Sequence, residues 1–138
     1  MYERADNEVW SYGEEVEGIC TKYLKLRERL RGYIRGLMEE ASQKGTPVMR
    51  TLFFEFPADG AAWEVEDQYM FGAKYLCAPV LEMGCRKRTV YLPKANGVKW
   101  RVFDQSEKAS QDGEVFEGGQ TVEVDCPLDN MPVFERLE

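Results

Sequence analysis

The run from Lys22 to Pro57, KYLKLRERLRGYIRGLMEEASQKGTPVMRTLFFEFP, restricts the fold more than any other stretch, because it joins an amphipathic helical pattern to an apolar segment through a sharp stop. Apolar side chains recur at Val16, Ile19, Cys20, Tyr23, Leu24, Leu30, Tyr33, Ile34, Leu37, Met38 and Ala41, the i, i+3, i+4, i+7 spacing of one helical face. Glu28, Arg29, Arg31, Glu39 and Glu40 fall off that face. Ser11 and Glu14 have the spacing of a capping box, so one long helix is expected to start there. Gly45 and Pro47 end it, glycine by accepting a left-handed conformation and proline by lacking an N–H.

The next segment, PVMRTLFFEF, is apolar on both faces and rich in aromatic residues, which predicts a strand covered on both sides and closed by Pro57, Asp59 and Gly60. After an acidic stretch through Trp63 and Asp67 the character changes. YLCAPVLEM, TVYLP, KWRVF, EVFEG and TVEVD are short β-like runs separated by Gly, Asn, Asp and Ser, the pattern of an antiparallel sheet or sandwich. The expectation is an α+β chain in two parts: a helix–strand unit over 1–72 and a sandwich-like β unit over 73–138.

Composition narrows the function. With 43% hydrophobic and 12% aromatic residues the 138-residue chain is expected to fold, yet no apolar run approaches the roughly 20 residues that span a bilayer. The opening MYERADNEVWSYGEE has no basic, then apolar, leader pattern, so the reading is a soluble cytoplasmic protein whose mature chain begins where the sequence does. A net charge of −7 disfavours nucleic acid and anionic membrane as partners. The basic cluster Arg86, Lys87 and Arg88 is read as a solvated hairpin turn. Cys20, Cys77, Cys85 and Cys126 lack CxxC spacing and no histidine is present, so free thiols are expected rather than a metal site.

Taken together, the Lys22–Pro57 run, EVEDQYMFG (64–72), APVLEMG (78–84), VYLP (90–93) and EGGQTVEVDCPLDNMPVF (117–134) closely resemble the end of the catalytic barrel and the following β domain of glycoside hydrolase family 31, the α-glucosidases and α-xylosidases. The resemblance runs from about Glu14 almost to the C-terminus and is weakest over Lys99–Gly113, where WRVFDQSEKASQDG reads as an extended polar loop. It implies that the helix and strand are the remnant of a (β/α)8 barrel, a fold needing about 200 residues or more. It implies also that the parent hydrolyses α-linked glucosides or xylosides by a retaining mechanism without cofactor, and that the family's two catalytic aspartates lie upstream of the matching segment. The expectation is therefore a C-terminal portion of such an enzyme with no catalytic, cofactor-binding or metal-binding residue of its own, inactive alone. The alternative is a carbohydrate-binding or assembly module that docks on a separate barrel-bearing chain, with self-association through an exposed strand and helix.

Retaining glycosidases need two carboxyl groups about 5 Å apart across the scissile bond. Glu55 is the best-placed local acid, near the C-terminal end of the expected strand, with Asp59 and Asp67 on the same rim. Each has a structural reading that outweighs a catalytic one: Asp59 sits in a PADG turn where Asp bonds nearby backbone, and Glu64 and Asp67 read as solvated or capping acids. Glu55 is acidic in related sequences without being their nucleophile or acid. Arg50, inside the apolar run, needs an acid, with Glu55, Glu66, Asp67 or water as alternatives. Phe53, Phe54, Phe56, Tyr69 and Phe71 are read as core rather than as a sugar platform. Cys85 beside Arg86 is the one thiol with nearby positive charge, but a turn cysteine without a histidine partner is read as inert. Gly32, Thr51 and Cys77 depart from the family pattern, the first two standing where proline is common.

Overall fold

A computed structural model describes residues 7–108 and 110–138. The first turn is a short 3-10 segment, Val9–Tyr12, and Gly13 (φ 95°) redirects the chain into α1, Glu14–Arg29. Ser11 therefore lies inside the preceding turn, and no side chain caps α1, which corrects the capping-box expectation. Glu14, Glu15 and Glu17 instead place negative charge at the positive end of the helix.

The single long helix is also corrected. Leu30 (φ −88°, ψ 2°) divides it into α1 and α2, Arg31–Lys44, although Leu30 N–H still donates to Leu26 O and Ile34 N–H to Leu30 O. Packing explains the break: the Leu30 side chain turns into a cluster with Tyr75 and Val133, while α1 leans over the loop after Val102. Gly45 closes α2 in the left-handed region (φ 71°), donating its N–H to Ala41 O as expected.

The largest departure follows Pro47. Only Met49–Arg50 form a strand, β1; Thr51 is extended, and Leu52–Glu55 make one helical turn, α3. The reason is electrostatic. Arg50 is buried, and five residues of extended chain would carry Glu55 roughly 16 Å away, whereas a helical turn brings it back onto the guanidinium.

The described residues form eight strands: β1, β2 (Tyr69–Phe71), β3 (Tyr75–Cys77), β4 (Lys87–Leu92), β5 (Lys99–Val102), β6 (Val115–Glu117), β7 (Gln120–Asp125) and β8 (Val133–Leu137). They form an antiparallel sheet of order β1-β2-β3-β8-β5-β6 and a two-stranded ribbon β4-β7. Strands on both sides of Gly72 thus share one sheet, and Met49–Arg50 joins it through β2. YLCAPVLEM keeps strand geometry only over its first three residues, while β2 and β8 have no counterpart among the runs singled out from sequence. Of the basic cluster, Arg86 and Lys87 are solvated as expected, but β4 already begins at Lys87 and the Arg88 side chain is only 10% exposed.

The ribbon packs on the sheet. Val90 and Leu92 meet Met70, Leu76, Trp100 and Phe134 in one core, joined by Leu52 and Phe56 from the α3 region. Trp100 donates its buried indole N–H to Pro93 O, so its burial leaves no donor unpaired. The helices attach through a second cluster, in which Tyr33 meets Tyr75 and Phe71 edge-on and donates its hydroxyl to Phe71 O at 2.7 Å. Of the helical apolar face only Leu37 is buried; Leu24 and Met38 are half exposed or more.

Candidate functional site

The charged centre of the molecule is built on Arg50. Its side chain is 4% exposed and lies between Glu55 at 2.5 Å and Glu40 at 3.2 Å, with its Nε–H donating to Pro47 O at 2.7 Å. Arg136, from β8, reaches the second oxygen of Glu55 at 3.4 Å and pairs with Glu138 at 3.0 Å. Both guanidiniums lie over aromatic faces, Arg50 over Phe54 and Arg136 over Phe56. Glu55 is thus fixed by two cations, with one oxygen turned to each. Such a carboxylate is held in place from both sides, an arrangement suited to tying α3 to β1, α2 and β8.

Asp59 caps the 3-10 turn Gly60–Glu64 by accepting from Ala61 N–H at 3.1 Å. Its other oxygen accepts from the Tyr91 hydroxyl at 2.6 Å and Lys94 N–H at 2.8 Å. Burial pushes this carboxyl up, but the Lys94, Tyr91 and Ala61 hydrogen bonds outweigh it and hold the pKa below the ordinary value. Tyr91 is pushed up to about 12 by burial and by donating to the carboxylate. Asp59 also borders a surface hollow of about 550 Å³ whose lining mixes Lys94, Asn96, Lys99 and Glu117 with Ala95 and Val98. Lys99 and Glu117 pair across it at 3.0 Å.

Asp67 sits 2.8 Å from Arg88, a charge contact whose angle falls outside hydrogen-bond geometry. Arg88 donates instead to the carbonyls of Asp67 and Pro79. Glu64 ends the 3-10 turn, exposed to solvent. The aromatic residues divide: Phe56 is core, Tyr69 and Phe71 support the second cluster, and Phe53 stacks flat on Trp63 with ring centroids 4.3 Å apart. Phe54 and Trp63 are about half exposed. Cys85 donates its thiol to Lys87 O at 2.7 Å, and Cys77, lifted to about 11 by burial, lies against Tyr69. Among the described residues no three His, Cys, Asp or Glu side chains converge as a metal site requires, and no helix is long and apolar enough to cross a membrane.

Sequence reasoning paired Arg50 with Glu55 as one of several alternatives and missed Glu40, Arg136 and Tyr91. Glu40 carries a weak signal: it lies off the apolar stripe of α2, on a flank free to meet a charge. Arg136 and Tyr91 reach their partners only through sheet pairing, which no local spacing reveals.

Comparison with known proteins places this architecture. Residues 45–137 match the glycosyl hydrolase family 31 C-terminal domain. Over 127 residues the chain is 36% identical to alpha-glucosidase 2 of Bacillus thermoamyloliquefaciens, covering 92% of this chain and 15% of that enzyme. It is 33% identical over 129 residues to an alpha-xylosidase of Saccharolobus solfataricus, covering 94% and 16%. The crystal structure of a GH31 alpha-xylosidase from a soil metagenome, complexed with xylose, superposes with a TM-score of 0.85 at 48% identity, over 96% of this chain and 18% of that one. The chain thus spans about a sixth of the length of these relatives. With a match over residues 45–137 and an α+β fold shared with these structures, the chain belongs to the glycosyl hydrolase family 31 C-terminal domain family.

Proposed function

We propose that this chain is a non-catalytic C-terminal portion of a family 31 glycosidase. It supports a (β/α)8 barrel that hydrolyses α-linked glucosides or xylosides by a retaining mechanism, and by itself it turns over neither. One observation carries the reading: Glu55, the acid best placed by sequence, is held between Arg50 and Arg136, so neither oxygen faces an open cleft with a second carboxyl. Asp59 and Asp67 support it, the first engaged by Tyr91 and two backbone amides, the second set against Arg88. The relatives' names supply the substrate class.

The test is the purified 138-residue chain with aryl α-glucoside and α-xyloside substrates. No release of nitrophenol is expected; turnover abolished by Glu55→Gln would overturn the proposal.

A second reading, docking of this chain on a separate barrel-bearing polypeptide or on its own copy, is favoured by the exposure of Leu24, Met38 and Met49 on α1, α2 and β1. Large apolar side chains in such numbers on consecutive elements are suited to covering by another protein surface.

A further inference from the structure

Cys85 and Cys126 stand together at the open end of the β4–β7 ribbon. The ladder closes with Lys87 opposite Asp125, and Cys126 N–H donates to Arg86 O at 2.8 Å, so pairing runs one residue beyond both strands. Cys126 therefore faces Arg86, and Cys85 is one step further along the opposing chain. The alternation that turns Val122 and Val124 toward the core also carries Cys126 inward, leaving it 1% exposed. Cys85 departs from that alternation. Its N–H closes a turn onto Glu82 O at 3.2 Å, and its thiol bends toward the strand to reach Lys87 O.

Both thiols are free, and both line one surface hollow of about 420 Å³ together with Arg86 and Pro127. They are also mutual neighbours: burial is the main cause raising the Cys126 pKa, followed by the charge and hydrogen bond of the Cys85 thiol, while Arg88 and Arg86 act in the opposite sense. Burial and the neighbouring thiol prevail, and the two guanidiniums offset only part of the rise. The remaining cysteines have different settings, Cys20 on α1 and Cys77 buried in β3 against Tyr69.

We propose that Cys85 and Cys126 form a thiol–disulfide exchange site that reduces a low-molecular-weight disulfide of the glutathione type and closes into an intramolecular bond. Cys85, the more accessible, loses its proton to water, and its thiolate attacks one sulfur of the small disulfide. That S–S bond breaks, a mixed disulfide forms on Cys85, and the departing thiolate takes up a proton. Cys126, deprotonated in turn, attacks the Cys85 sulfur; the mixed disulfide breaks, the Cys85–Cys126 bond forms, and the second small thiolate leaves and is protonated. Two electrons pass from the protein thiols to the small disulfide, which ends as two thiols. The product pins the start of β4 to the end of β7, where the ribbon has no third strand to hold it.

The experiment treats the full chain with excess glutathione disulfide at neutral pH, blocks remaining thiols with N-ethylmaleimide, and maps the digest by mass spectrometry. Expected are a Cys85–Cys126 linked peptide, blocked Cys20 and Cys77, and a thermal midpoint raised by about 5 °C that dithiothreitol reverses. Cys126→Ala should stop at a stable glutathione adduct on Cys85. Cys85→Ser, at an intermediate surface position, should leave Cys126 without adduct or link, and it decides the matter if the buried substitution prevents folding. Blocked Cys85 and Cys126 in the treated wild type, a persistent adduct on Cys85, or a link through Cys20 or Cys77 would each overturn the proposal.

Discussion

Arg50 shows how one buried charge dictates local backbone. The surrounding sequence favours a strand by composition, yet the guanidinium needs a carboxylate at hand, and a helical turn over Leu52–Glu55 supplies one where extended chain does not. The energetics follow from the same geometry. Glu55→Ala would leave Arg50 with only Glu40 at 3.2 Å and Pro47 O, and would strip Arg136 of one of its two acids. Breaking one partner of a buried pair typically costs about 3 to 5 kcal/mol, and with Glu40 retained the expected loss is about 3 kcal/mol, read as a lower urea midpoint. Glu55→Gln, which keeps an acceptor oxygen, should lose less. Equal stability of Glu55→Ala and wild type would show that the cluster contributes nothing to the fold.

Between elements, the contact of α2 with the β2–β3 turn holds the helices to the sheet. Gly72 makes it possible: φ is 63°, and a Cβ there would strike the Tyr33 hydroxyl and approach Leu37 to 2.7 Å. Gly72→Ala should therefore destabilise the chain by about 3 kcal/mol, combining left-handed strain with displacement of α2, whereas Tyr33→Phe should cost only about 1 kcal/mol for the lost bond to Phe71 O. Chemical denaturation of both variants checks the ranking, and a milder Gly72→Ala would mean that α2 is not seated on this turn. Much of this level was legible in sequence. The helical period located the residues of α1 and α2, though as one helix, Gly45 marked the end of α2, and alternation found β4, β5, β6 and β7. What escaped notice has physical reasons. The bend at Leu30 answers to Tyr75 and Val133, distant in sequence, and leaves the i to i−4 bonds intact on both sides. At β2 and β8 strand character is imposed by β3 between them, since three to five residues carry too little pattern to declare themselves.

Across the whole molecule, two surface properties oppose each other. Leu24, Met38, Met49, Phe54 and Trp63 are each about half exposed or more, so α1, α2, β1 and the α3 region offer apolar area that burial against another surface would stabilise at about 25 cal/mol per Å². The net charge of −7 resists bringing two copies together, and that repulsion is long-ranged only while salt is dilute. The Debye length falls from about 30 Å at 0.01 M to about 8 Å at 0.15 M, so added salt screens the repulsion and leaves the apolar attraction in place. If the second reading under the proposed function holds, light scattering behind a sizing column should show average mass rising with both protein concentration and salt. Met38→Glu, at a position 59% exposed, should restore the monomer without lowering the thermal midpoint of the monomeric protein. A surface contact built on ion pairs would weaken with salt, the reverse trend. A strict monomer at high concentration in 0.5 M salt would mean that these side chains find no partner in a second copy, and would sink the self-docking arm of that reading.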